Sequence, residues 1–122
     1  MTGTPTVDAL LAQWIAAFNS HDLDAHMNLY TEDATLFGSV NELKVGREAI
    51  RNYFSGRGPN VHVKSYPLPR VAMLGSEIAV TAGYVEFADG DVPLPYRMTW
   101  VLVKREGNWR ILQHHGSPRS AV

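Results

Sequence analysis

The 122-residue sequence contains no cysteine, which excludes a disulfide framework, a thiol nucleophile and any cysteine-ligated metal. It has no excess of either charge. Lys and Arg number 11 against 12 Asp and Glu, for a formal net charge of -1. The basic residues are scattered singly, so there is no electrostatic footprint for nucleic acid or an anionic membrane surface. No segment approaches the roughly 20 apolar residues that span a bilayer, and residues 1–6 carry no basic stretch ahead of an apolar one. No internal repeat is visible at any period. These absences predict a soluble, unprocessed, cytoplasmic chain without nucleic-acid or membrane partners.

What is present is a globular composition, 45% hydrophobic and 19% charged, at a length that one core can organise. The expectation is a single domain over 1–122, with residues 1–6 and 118–122 as tails. Val7, Leu10, Leu11, Trp14, Ile15 and Phe18 recur at helical spacing and form one stripe, with Thr6 placed to cap its start. Asn19, Ser20 and His21 interrupt the stripe. Asp22 can cap a second, shorter helix on which Leu23, Met27 and Tyr30 share a face. A short strand over Ala34 to Phe37 follows. After a polar loop, Arg47 to Ser55 read as a third helix with Ile50, Tyr53 and Phe54 on one side.

Gly56, Gly58 and Pro59 end that helix, and from there the apolar period changes from 3.6 to 2. Strands are predicted over Val61 to Tyr66 continuing through Arg70 to Leu74, over Glu77 to Ala88, over Leu94 to Arg105 and over Trp109 to His115. Pro67 and Pro69 should bend the first of these, because proline cannot donate to a ladder. Glu106-Gly107-Asn108 suits a tight antiparallel hairpin. Three helices followed by an antiparallel meander give an α+β class, with helices packed on one face of a curved sheet.

The run from Trp14 to Asp24 (WIAAFNSHDLD), followed by Leu29-Tyr30-Thr31-Glu32-Asp33-Ala34-Thr35 and Gly46-Arg47-Glu48-Ala49-Ile50, resembles the opening of the nuclear transport factor 2-like superfamily, with SnoaL-like proteins and ketosteroid isomerases as the nearest named members. The ending, Trp100 to Ile111 through His114-His115-Gly116-Ser117-Pro118, is similar to the last hairpin of SnoaL-like proteins and of the calcium/calmodulin-dependent kinase II association domain. The resemblance runs from Asp8 to Ser117. It implies a cone-shaped, barrel-like fold with an apolar pocket. Carried over residue by residue, the isomerase site is not kept. Trp14 matches its hydrogen-bonding tyrosine, Gly38 its aspartate base, and Thr99 or Trp100 its second acid, so the steroid isomerase mechanism is not expected. The superfamily hosts several reactions and also pure association modules, so the fold does not assign a reaction.

If the hairpin turns at Arg105 to Asn108, regular pairing puts Met98, Trp100, Leu102, Trp109, Ile111, Gln113 and His115 on the concave face. A one-residue slip would exchange His115 for His114. On this reading His115 is the first candidate for a polar pocket group, as donor, acceptor or base. Adjacent strand residues point to opposite faces, so His114 and His115 together are not read as a metal site. By resemblance, Tyr84 and Glu86 lie on the concave face as hydrogen-bond donor and general base. Trp14, Phe18, Tyr30, Phe37, Tyr53, Phe54, Met73, Trp100 and Gln113 are the expected pocket lining, most of them equally suited to an ordinary core. Asp33 reads as a turn or cap residue, and Arg97 as a surface residue able to meet a carboxylate. Two functions stay open. One is a binder or cofactor-independent enzyme of isomerase, cyclase or dehydratase type, acting on a hydrophobic carbonyl compound without cofactor or metal. The other is a non-catalytic association domain. Both imply a homodimer through the exposed sheet face.

Overall fold

A computed structural model describes residues 4–119, with side chains from Val7 onward. Helix α1 covers Thr4–Ser20, so it begins two residues ahead of the expected cap at Thr6, whose side chain lies outside the described residues. Val7, Leu10, Leu11, Trp14 and Phe18 are buried as the stripe requires. The helix stops at His21, which takes the left-handed conformation (φ 59°). The His21 N–H donates to Phe18 O and the Asp22 N–H to Ala17 O, a pair of reversed bonds that satisfies the last carbonyls of the helix.

Asp22 then caps α2, Leu23–Met27, by accepting from the Ala25 N–H at 3.1 Å. This helix is shorter than expected. Tyr30 is not on it but opens strand β1, Tyr30–Phe37, because the Ile111 N–H donates to Leu29 O and draws the chain into the sheet. The two-residue strand β2, Lys44–Val45, and helix α3, Arg47–Ser55, follow. Arg47 anchors α3 to β1 with Nε and Nη2 both on Tyr30 O, at 3.0 and 2.7 Å.

The expected bent first strand is two strands, β3 (Val61–Ser65) and β4 (Arg70–Met73), separated by the segment that holds Pro67 and Pro69. Both pair with the long β5, Ile78–Asp89: β3 with its last residues and β4 with its first. Strands β6, Val92–Arg105, and β7, Asn108–Pro118, complete the hairpin. Its two-residue loop, Glu106-Gly107, has positive φ at both positions (54° and 81°), the geometry that matches strand twist in tight hairpins.

The sheet order is β2-β1-β7-β6-β5-β3, with β4 also on β5. All pairs are antiparallel except β1 with β7. The helices cover one face, and the core lies between, where Trp14 meets Trp100 edge-on at 5.6 Å. The fold is thus α+β, helices packed on a curved seven-stranded sheet that does not close.

One irregularity decides which side chains face inward. Leu102 pairs with Ile111, but Val101 pairs with Gln113, so Leu112 is an extra residue. Such a bulge resets the in-out alternation of everything beyond it. His114, opposite Trp100, therefore faces the core, and His115, opposite Thr99, faces out.

Candidate functional site

Between α3, the start of β3, the end of β5 and the start of β6 lies a cavity of about 360 Å³. Phe18, Tyr53, Phe54, Phe87, Leu94 and Tyr96 form most of its wall. Tyr53, Phe54, Phe87 and Tyr96 also border a narrow recess of about 40 Å³ that continues inward to Trp14, Gly38, Met98, His114 and Gly116. The wall is aromatic because α1 and α3 both turn ring-bearing residues toward the inner faces of β5 and β6. The Phe18 and Phe54 rings meet edge-on at 6.2 Å.

Polar groups stand at the two ends. At the inner end, Trp14 Nε1 donates to Tyr30 Oη at 3.0 Å, and Tyr30 Oη lies 2.9 Å from His114 Nδ1. The direction of the second bond follows from the first. Indole N–H only donates, so Tyr30 Oη accepts there. Its own hydrogen is fully buried and would cost about 1–3 kcal/mol if left unpaired, so it donates to His114 Nδ1. The imidazole then carries its hydrogen on Nε2. That atom lies 3.3 Å from the Cβ position that Gly116 leaves empty, so the absence of a side chain at Gly116 keeps space in front of it.

Burial holds the His114 imidazole down at about 3, helped by the nearby His26 and His115. Burial also pushes the Tyr30 phenol well above its ordinary range, against the pull of the Trp14 bond. The floor of the recess is thus a neutral N–H donor held by two other neutral groups. It can donate to a carbonyl or hydroxyl oxygen. A base whose conjugate acid has so low a pKa is a poor proton acceptor at neutral pH. At the outer end stands Arg57, with no Asp or Glu among the residues lining either space.

The expected site residues divide sharply. Trp14, Phe18, Tyr30, Tyr53, Phe54 and Trp100 sit on the helix side of the sheet, and of these Trp14, Phe18, Tyr53 and Phe54 line the cavity or its recess. Tyr30 is set behind His114, and Trp100 is closed into the core. His115 is corrected to the outer face by the bulge at Leu112. Gln113 goes with the outer face for the same reason, paired with Val101 and Thr35. Tyr84 and Glu86 are also outside. On β5 Ala79, Thr81 and Val85 are buried and Phe87 lines the cavity, so the residues between them face away, and Tyr84 is 62% exposed. Glu86 is ion-paired with Arg119. Phe37, next to His115 on the outer face, and Met73, on the outlying β4, are exposed and line neither space.

Three further positions refine the reading. Tyr53 Oη stands where a side chain on Gly38 would begin and accepts from the Ser39 N–H at 2.9 Å. The position that the resemblance aligns with an aspartate base therefore has no room for a side chain. Asp33 is a strand residue, 3.3 Å from Arg105, in the irregular stretch of β1 between Tyr30 and Thr35. Arg97 is a surface residue bonded to Ser117 Oγ at 3.2 Å. Sequence reasoning missed Arg57 and His26. Arg57 sits in the glycine-rich stretch that ends α3. His26 is fully buried among aromatic rings with both ring nitrogens unpartnered. Nothing local distinguishes it from a solvated residue of a short helix.

A family model for the SnoaL-like domain matches residues 7–120. No curated protein sequence is significantly similar to the chain. Among solved structures, a Xanthomonas campestris protein described as a calcium/calmodulin-dependent protein kinase II association domain superposes with a TM-score of 0.85 at 32% identity, over 95% of this chain and 87% of that one. A ketosteroid isomerase-like protein of Erwinia carotovora is similar at 0.83 and 21%, over 97% of both chains. A nuclear transport factor 2-like protein of Pseudomonas putida, of unknown function, is similar at 0.83 and 16%, over 96% of this chain and 88% of that one. The last two likenesses concern the fold.

Proposed function

We propose, from the premise that this chain belongs to the SnoaL-like domain family, that it binds a hydrophobic small molecule bearing a carbonyl oxygen. The aromatic cavity takes the apolar body, and His114 Nε2–H meets the oxygen. The observation that carries this reading is the Trp14–Tyr30–His114 chain of hydrogen bonds, which fixes the tautomer at the recess floor. Volume is consistent with it, since cavities of about 300–1,000 Å³ are the usual size for such ligands. Neither space is lined by a carboxylate, and His114 is a weak base, so the residues favour binding and carbonyl polarisation over proton abstraction.

Calorimetric titration of 1-tetralone and of tetralin, which differ only in the ketone, tests the proposal. One well-formed neutral hydrogen bond contributes about 0.5–1.5 kcal/mol, so the ketone should bind up to about tenfold tighter. Equal affinities, or a preference unchanged in His114→Phe, would refute it.

A second reading has its own support. The outer face carries half-buried Val80, Val101 and Leu112, and the Xanthomonas campestris relative is described as an association domain. On this reading two copies pair through that face. Sedimentation should then show a dimer that Val101→Lys weakens, and a wild-type monomer at all concentrations would reject it.

A further inference from the structure

The cavity has one fixed charge in its lining, the guanidinium of Arg57. Four ion pairs are found among the described residues, and they neutralise Lys44, Arg51, Arg105 and Arg119. Arg57 is in none of them. Its Nη2 donates to Phe18 O at 2.5 Å and its Nη1 to Phe54 O at 3.3 Å, while the carbon of the guanidinium lies 4.0 Å over the Phe18 ring. Its Nε is buried without a partner. The group is thus pinned in place against the cavity wall by two carbonyls and a ring, none of which carries a negative charge. Burial already depresses its proton affinity, as expected for a partly desolvated cation that lacks a counterion.

We infer that Arg57 is the anchor for a carboxylate on the ligand, and that the molecule recognised is an apolar, ring-bearing monocarboxylate. This rests on the cavity's being a small-molecule site, as proposed above. Arginine presents five N–H donors and holds carboxylates in a planar geometry. Two of the five are committed to backbone carbonyls, and the remaining donors on Nη1 and Nη2 can meet an anion at the cavity end. The aromatic wall between Arg57 and the recess accepts the apolar body. A ligand anchored this way places its far end toward His114, so one acid group and one neutral acceptor at opposite ends of a hydrophobic frame satisfy both polar ends.

The test uses 2-naphthoate and 2-naphthamide, which share a frame and differ in charge, titrated calorimetrically into the full chain. Wild type should bind the acid at least tenfold more tightly than the amide. Arg57→Met should abolish that advantage, so that acid and amide bind alike, and Arg57→Lys should retain part of it. Arg97→Met, which removes a cation from the outer face, should change neither affinity. Equal binding of acid and amide by wild type would overturn the assignment of Arg57 and leave the cavity as a neutral site. So would an acid preference that survives Arg57→Met or disappears in Arg97→Met. If neither compound binds up to its solubility limit, the cavity reading falls together with this one. Should Arg57→Met fail to fold, the wild-type comparison of acid and amide at low and high salt decides alone. A preference that shrinks with salt supports the ion pair, and the absence of any preference rejects it.

Discussion

The inner cavity and the groove on the outer face lie on opposite sides of the same strands, and neighbouring histidines serve them. Inside, His114 sits with Trp14 and Tyr30 in a chain in which the indole and phenol hydrogens each have one acceptor. Outside, His115, Tyr84, Arg97 and Arg70 border an open groove of about 430 Å³, where the polar atoms can turn to solvent. The residue types are much the same. What differs is the consequence of burial, which on the inside makes an unpartnered polar group costly and every titration expensive. A histidine, a tyrosine and an arginine therefore define a site only when the fold removes water from them.

The strongest way to break this contrast is acid. His114 and His26, ordinarily near 6.5, are both held at about 3, chiefly by burial. The unfolded chain thus binds more protons than the native one between those values. Stability is fully present above about pH 6.5 and falls as pH drops toward 3, by up to about 1.4 kcal/mol per histidine per pH unit. Against a typical total of about 5–15 kcal/mol, denaturant titrations should show a steep loss below pH 6. His26→Leu should flatten it, and a profile level from pH 7 to 4 would show that these groups are not sealed from water.

A smaller effect separates the two tyrosines. Tyr30→Phe leaves Trp14 Nε1 and His114 Nδ1 without partners, at a cost of about 1–3 kcal/mol, whereas Tyr84→Phe should stay within about 0.5 kcal/mol. Similar values for both in urea unfolding would erase the distinction. Smaller again should be His115→Ala, an exposed change expected to shift stability by no more than about 0.5 kcal/mol and to leave 1-tetralone affinity intact. Loss of that affinity would move the site to the outer face.

Much of the architecture was legible before any coordinates. The stripe from Val7 to Phe18 fixed α1, Asp22 announced α2, and Glu106-Gly107 the hairpin, because each is a local signal with a local cause. The bulge at Leu112 was not legible. It lies in an unbroken strand pattern with no glycine or proline to mark it, and its cause is pairing with both β6 and β1. That single residue moved the choice from His115 to His114, the alternative that a slip in register had left open. The resemblance turns the wrong face of β5 inward, although Val85 and Phe87 beside Glu86 are a usable signal that the apolar set faces the core. Nothing local takes Tyr30 off the helical face, because the bond that does so is the long-range one at Leu29. Arg57 and His26 escaped because their significance is a matter of what does not surround them, a carboxylate in one case and any hydrogen-bond partner in the other.

The account turns on the protonation of one ring. Long-range nitrogen–proton correlation spectra of the imidazoles, recorded from pH 5 to 8, report it directly. His114 should show a hydrogen on Nε2 at every pH in that range, a bare Nδ1, and a shift on adding 1-tetralone that His115 does not share. A His114 ring that gains a second proton within the range, or that carries its single hydrogen on Nδ1, would contradict the hydrogen-bond chain and the function built on it.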